Sequence, residues 1–127
     1  FMKAHITSTP PTALCYGVSD DVKAVLREQE IVMKEIRPDE LGCEVGSFLG
    51  RGRTRTGAPA VPPTESLLLM ADFSRAQMNR LLDALRAAQA AVDFKAVLTP
   101  TNRDWTVADL MKELARERAA MQGRVEA

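Results

Sequence analysis

The polar turn at residues 99–104 is the part of this chain best suited to bind a small molecule. It follows a short predicted strand at residues 94–98, which is apolar except for Lys95, and lies directly before a predicted helix start at Thr106. A helix N-terminus offers free N–H donors and a positive dipole end, which favour an anion. The sequence therefore predicts a site for a carboxylate or phosphate, as in an anionic metabolite or a nucleotide. The residues that would form it are Lys95, Thr99, Thr101, Asn102 and Arg103.

The same turn also has a purely structural interpretation. Thr-Pro-Thr-Asn favours a tight turn, because the side chains of Asn102 and Asp104 can bond their own backbone. Pro100 would stiffen the turn, and the indole of Trp105 would anchor the following helix in the core. We therefore expect this segment to be built mainly for shape, with Pro100 and Trp105 as structural anchors.

Arg51, Arg53 and Arg55 form a basic cluster interspersed with glycines. Such a cluster can contact nucleic-acid phosphates through salt-dependent ion pairs. No aromatic residue stands between the arginines for base stacking, and the chain is balanced, with 17 basic and 17 acidic residues. The Gly- and Pro-rich composition instead predicts a flexible, solvated linker over residues 51–65. We do not expect a nucleic-acid partner.

Residues for nucleophilic or metal chemistry are few. His5 is the single histidine and lies near the start of the sequence, so a Ser-His-Asp or Cys-His arrangement would depend on it. Cys15 and Cys43 form no C-x-x-C pair and give no zinc spacing. We expect Cys15 to be buried on an apolar strand and Cys43 to lie nearer the solvent. The sequence favours a protein without catalytic residues, metal or cofactor.

Length and composition are those of one globular domain. The 127 residues are 46% hydrophobic and 27% charged, which is enough to bury a core. The longest apolar run, residues 67–71, is far too short to cross a membrane, and residues 1–20 lack a signal-peptide pattern. We expect a single domain over residues 1–127, located in the cytoplasm, with no membrane partner.

The elements that must position the candidate turn follow a pattern that occurs twice. Each half begins with an apolar strand, continues with a serine-capped helix and a second strand, and ends with another helix. In the first half (residues 12–50), these are a strand at 13–17, a helix after Ser19, a strand at 31–36 and a short helix from residue 39 to Gly50. In the second (66–122), they are a strand at 67–70, a helix after Ser74 with Gln77 in a capping box, a strand at 94–98 and a helix capped by Thr106.

Two such units predict a mixed α/β (α+β) fold. The favoured architecture is a ferredoxin-like core from a degenerate duplication, with the extra helices packed on its open face. The alternative is a small parallel three-layer α/β sheet. The first strand of each half is apolar on both sides of the pleat, which indicates that both faces of the sheet are covered.

The run from Lys95 to Trp105 resembles the signature of an uncharacterised family of small bacterial proteins, a domain of unknown function. The hallmark of these relatives is Lys-Ala-Val-Leu-Thr-Pro-Thr-Asn, two residues and Trp. Lys95, Thr99, Pro100, Thr101, Asn102 and Trp105 stand in those places here. The resemblance extends from Leu67 to Met121 and is looser in the first half. It implies no activity, ligand or cofactor.

These observations favour a non-enzymatic cytoplasmic interaction or regulatory module. We expect it to be homo-oligomeric, most simply a dimer, through its sheet or its last helix. One alternative is a sensor that binds an anionic metabolite or nucleotide at the Thr99–Arg103 turn. The other is a nucleic-acid accessory factor that uses Arg51, Arg53 and Arg55.

Overall fold

The structure, a computed structural model, describes residues 10–50 and 61–126. Within these ranges each half contains a strand, a helix and a second strand, as predicted, and the chain ends in a long helix. The bounds are β1 Thr12–Tyr16, α1 Asp20–Glu28, β2 Val32–Glu35, β3 Leu67–Ala71, α2 Arg75–Ala87, β4 Phe94–Val97 and α3 Val107–Glu126.

The three helices begin at the caps that the sequence predicts. Ser19 Oγ accepts from the N–H of Val22 at 3.3 Å. Ser74 and Gln77 form the reciprocal capping box, with bonds of 3.1 and 2.8 Å. Thr106 Oγ1 accepts from the N–H of Asp109 at 3.1 Å. Each cap therefore satisfies an N–H that the first helical turn leaves without a partner.

The segment after β2 differs from the single short helix predicted there. It contains two 3₁₀ segments, Pro38–Glu40 and Val45–Leu49, and ends at Gly50, whose φ is +72°. Between them the backbone bonds to the start of α3, since Val107 donates to the C=O of Cys43 at 3.0 Å. These bonds divert the backbone groups that a continuous helix would need, which explains the difference.

The four strands form one mixed sheet in the order β2-β1-β3-β4. The outer pairs, β1 with β2 and β3 with β4, are parallel, and the central pair, β1 with β3, is antiparallel. Each helix α1 and α2 thus connects two neighbouring parallel strands. The fold is mixed α/β, as the sequence predicts.

The finer prediction of a ferredoxin-like core is not confirmed. A ferredoxin-like sheet interleaves the strands of its two split βαβ units, whereas here the two strands of each unit are direct neighbours. The alternative of a wholly parallel sheet also fails, because β1 and β3 run antiparallel. The hydrophobic pattern of a strand indicates whether the strand is buried, but it does not specify which strand lies next to it. Strand order therefore could not be predicted from this pattern. An internal duplication stays a prediction.

Both faces of the sheet are covered, as the apolar character of β1 and β3 predicts. Every residue of these two strands is buried. On one face, alternate residues of β1 and β3, such as Cys15 and Leu68, pack against α1 and α2. On the other, residues such as Leu14 and Leu69 pack against α3 and residues 36–49. The result is a three-layer arrangement with the central strands at its core.

Most of the flexible linker predicted over residues 51–65 lies outside the described residues, because the structure does not describe residues 51–60. At the linker's end, Tyr16 Oη donates to the C=O of Pro63 at 2.8 Å. No helix in the described part of the chain is long and apolar enough to cross a membrane.

Candidate functional site

The predicted turn lies at the edge of the sheet where β3 and β4 end. Because these two strands are parallel, the residues that follow them, Asp72 and Thr99, lie at the same edge. Open α/β sheets commonly bind ligands at the carboxyl ends of parallel strands. The turn is therefore in a favourable place, and its geometry decides what it can contact.

Thr99 and Asn102 bond to each other across the turn. Asn102 Oδ1 accepts from the N–H of Thr99 at 2.9 Å, and Thr99 Oγ1 accepts from the N–H of Asn102 at 3.0 Å. Asn102 Nδ2 also donates to the C=O of Val97 at 3.0 Å. The side chain of Asn102 is only 8% exposed. Its polar atoms thus hold the turn together, in agreement with the structural interpretation.

Trp105 joins this turn to the rest of the molecule. The backbone N–H of Trp105 donates to the C=O of Asn102 at 3.1 Å, and the backbone C=O of Trp105 accepts from the N–H of Val45 at 2.8 Å. The indole is partly buried and packs against the core between the sheet and α3. Trp105 therefore has the contacts expected of an anchor, whereas Pro100 is exposed.

Two of the predicted ligand residues remain near each other on the surface of the turn. Thr99 and Arg103 line a cavity of about 210 Å³, together with Asp72, Leu98 and Pro100. Arg103 Nε is buried without a hydrogen bond and lies 3.7 Å from Asp104 Oδ1. Thr101 is exposed.

Asp72 is the cavity residue that the sequence analysis missed. It follows β3, not β4, and its φ of +63° places it in the left-handed region. Only the parallel pairing of β3 with β4 brings it beside the turn. Two residues of opposite charge, Asp72 and Arg103, therefore line the same cavity.

Lys95 lies apart from this cavity. It is exposed on β4 and lines a different groove of about 360 Å³, beside Leu82, Leu85 and Arg86 of α2. The structure thus brings Thr99 and Arg103 together but places Lys95 in another surface feature. Arg51, Arg53 and Arg55 lie outside the described residues, so the basic cluster stays a prediction.

Neither Cys15 nor Cys43 forms a disulfide, and both are buried. Burial of Cys15 was predicted; the expectation that Cys43 lies near solvent is wrong, since it is 7% exposed. Burial raises the pKa of the Cys15 thiol to about 12, and the nearby carboxylate of Glu35 adds to this rise. Lys23, which bonds Glu35 at 2.8 Å, acts in the opposite direction. The Cys15 thiol is therefore a poor nucleophile at neutral pH.

A second cluster of polar residues, which the sequence analysis also missed, lies at the opposite ends of β3 and β4, where these two strands begin. Asp93 Oδ2 accepts from the N–H of Ser66 at 2.8 Å, and Ser66 Oγ accepts from the N–H of Asp93 at 2.9 Å. Arg118 of α3 donates to the C=O of Asp93 and stacks over the ring of Phe94 at 4.4 Å. These contacts fix the starts of β3 and β4 and have no unsatisfied group directed toward a ligand.

Other chemistry finds little support in the described ranges. No three His, Cys, Asp or Glu side chains there lie close enough to hold a metal ion. The arrangement at the turn can hold a small polar ligand in a shallow cavity, but it presents no activated nucleophile beside a base.

Comparisons with known proteins agree with this picture of a domain without an assigned chemistry. No curated protein and no solved structure matches the chain. A family model does match, and it covers the second half of the chain, including β3, α2, β4, the candidate turn and most of α3. The matching model is that of a domain of unknown function, DUF3783, and the match extends over residues 66–121.

Proposed function

We propose that the protein is a non-enzymatic interaction module that acts as a homo-oligomer, most simply a dimer, with a regulatory role in the cytoplasm. The internal use of the polar groups of Asn102 supports a structural role for the turn. Two buried cysteines that form no disulfide suit a reducing compartment.

The observation that carries this proposal is the edge strand β2, whose outer side no element covers among the residues that the structure describes. Three of its four residues are exposed, and Val32 keeps 43% of its surface accessible. An uncovered strand at a sheet edge presents free N–H and C=O groups that can pair with another chain. This surface therefore offers directional hydrogen bonds to a partner in addition to apolar contact.

Sedimentation equilibrium of the purified protein over a wide concentration range tests this function. We expect a reversible equilibrium between monomer and dimer. A species of monomer mass at every concentration, up to the highest soluble one, would contradict the proposal. An accompanying panel of substrates for common reaction classes should give no turnover.

A second candidate function is a sensor for a small polar ligand at the turn, favoured by the cavity between Asp72, Thr99 and Arg103. We expect a ligand that carries both a carboxylate and an ammonium group, such as a free amino acid, to raise the melting temperature. Arg103→Gln should abolish this shift. The matched control is Lys95→Gln, which removes an exposed positive charge from the other groove and should keep it. An unresponsive melting curve across the amino acids contradicts this candidate.

A nucleic-acid accessory role through Arg51, Arg53 and Arg55 has no contact in the described residues to support it. RNA binding at low salt that weakens when the three arginines become glutamine would establish it. We do not propose it.

A further inference from the structure

The two edge strands of the sheet, β2 and β4, differ in whether their outward-pointing backbone N–H and C=O groups have hydrogen-bond partners. In β4, Phe94 donates to Ser66 and Leu98 to Met70, so the N–H and C=O groups of Lys95 and Val97 point away from the sheet. Asn102 Nδ2 occupies the outward C=O of Val97. The candidate turn therefore covers the outward-pointing backbone at the C-terminal end of β4.

The β2 edge has no such cover among the described residues. Val32 donates to the C=O of Pro11 and Ile36 to that of Cys15, so these residues and Lys34 face β1. The N–H and C=O groups of Met33 and Glu35 consequently point outward. No hydrogen bond to these four groups is present within residues 10–50 and 61–126.

We propose that β2 pairs antiparallel with β2 of a second copy of this chain, with Met33 opposite Met33 of the second copy. This inference rests on the proposed function, since it specifies the surface and register of the dimer. The two four-stranded sheets would join into one continuous sheet across a two-fold axis.

The register follows from the charges and from the backbone groups that are free. Pairing centred on Lys34 would set two lysine side chains of like charge directly opposite each other, which is unfavourable, although each ammonium donates to the C=O of Phe48 in its own chain at 2.8 Å. Pairing centred on Val32 would need the N–H of Ile31, but that group already donates to the C=O of Leu26 at 3.0 Å. Centring on Met33 avoids the like-charge contact and lets the two Met33 residues exchange both of their outward hydrogen bonds. It places Ile31 only at the outer pair with Glu35, where the N–H of Glu35 can still donate to the C=O of Ile31 although the N–H of Ile31 is occupied.

The side chains also suit this register. Met33 already packs partly against the core between the sheet and α1 and α2, so two Met33 side chains would join the two cores. On the other face, Val32 would lie opposite Lys34 of the second copy. The aliphatic stem of that lysine can cover the exposed surface of Val32. The identity of the occupant, a second copy, follows from this self-complementarity.

Disulfide trapping between two single variants tests the register. Val32→Cys and Lys34→Cys are purified separately, mixed under reducing conditions and then oxidised. Residues 32 and 34 would form a pair without main-chain hydrogen bonds, whose close Cβ atoms suit a disulfide. We expect the mixed dimer to form in large excess over either homodimer. A statistical mixture, a dominant homodimer or no crosslinked product would overturn the inference.

A proline substitution tests the edge independently. Met33→Pro removes an outward N–H but none of the bonds to β1, and we expect it to weaken the dimer about tenfold or more. Lys95→Pro is the matched control, because it removes an outward N–H from β4. Circular dichroism establishes whether each variant is folded. If Met33→Pro is not folded, Glu35→Pro serves as the second β2 variant.

The two proposals fail in different ways. If the wild-type protein is a dimer that β2 prolines leave unchanged and that gives no mixed crosslink, the edge inference is wrong and the proposed function stands. If the wild type is a monomer throughout, both are wrong.

Discussion

Asn102 and Thr99 exchange two hydrogen bonds across the turn after β4, each side chain accepting from the other residue's backbone N–H. This is the bonding pattern of a capping box, formed here over Thr99–Asn102 directly before the 3₁₀ segment Asn102–Asp104, whose own N-cap residue Thr101 makes no side-chain cap bond. The second amide atom of Asn102 reaches back to the C=O of Val97. One side chain thus closes the turn and also covers the last outward carbonyl of the sheet.

Asn102→Ala should lower the free energy of unfolding by about 1–3 kcal/mol, because it leaves the partly buried N–H of Thr99 and the C=O of Val97 without this partner. Urea denaturation followed by circular dichroism measures the change. Thr101→Ala is the control: this residue is exposed, and its substitution should alter stability by about 0.5 kcal/mol or less. Equal effects of the two substitutions would contradict the structural role of Asn102.

The local features of the fold were predictable because they depend on neighbouring residues. The cap at Ser74, for example, needs only Gln77 three positions later, and the burial of Leu67–Ala71 follows from its unbroken apolar run. These signals lie in the sequence itself and survive the tertiary context.

The features that sequence reasoning missed depend on which strands are neighbours. Asp72 shares a cavity with Arg103 only because β3 and β4 are parallel, and Ser66 meets Asp93 for the same reason. Strand order arises from long-range packing, and no short pattern encodes it. The separation of Lys95 from the turn also depends on the tertiary arrangement. The side chain of Lys95, two residues before Val97, lies on the face of the sheet that α2 covers.

Gly50→Ala should lower the free energy of unfolding by about 1 kcal/mol. Gly50 has a φ of +72°, where a side chain is strained, and a Cβ there would meet no atom within 4 Å. The cost is therefore conformational and not steric. Gly50→Asn should cost less, since asparagine tolerates the left-handed region better. Urea denaturation measures both variants, and an equal or larger cost for asparagine would count against this explanation.

Stability should fall at high pH in a way that depends on Cys15. Its pKa is raised from 9.0 to about 12 in the folded protein, so the unfolded chain releases this proton first. The stabilisation is complete below the unfolded value and is lost as the pH rises toward the folded one. Between these values, the free energy of unfolding should fall by about 1.4 kcal/mol per pH unit more steeply in the wild type than in Cys15→Ala.

Urea denaturation of both proteins at several pH values above about 8 measures this difference. The other titrating groups, such as Tyr16, are shared by the two proteins, so their contributions cancel in the comparison. The exception is the smallest part of the rise in the Lys23 pKa, which the Cys15 thiolate itself causes. Parallel curves for wild type and Cys15→Ala would show that the thiol is accessible to water in the folded protein.

Arg118→Leu should lower the free energy of unfolding by about 1 kcal/mol, because the guanidinium stacks on Phe94 and donates to the C=O of Asp93. Arg116→Leu is the matched control on the same helix, so differences in helix propensity cancel. Arg116 pairs with the carboxylate of Glu113, three residues away, in an exposed ion pair at 2.8 Å. Such a pair contributes about 0.5 kcal/mol or less.

The difference between the two arginine variants, measured by urea denaturation, isolates the contact between α3 and the start of β4. Arg118→Lys refines it, since lysine keeps the charge but lacks the planar group that lies flat on an aromatic ring. We expect lysine to recover only part of the loss. If Arg118→Leu costs no more than Arg116→Leu, then the second half of α3 is not held against the sheet by this residue, and the apolar contacts of α3 with the core end at Leu114, after the buried side chains of Val107, Leu110 and Met111.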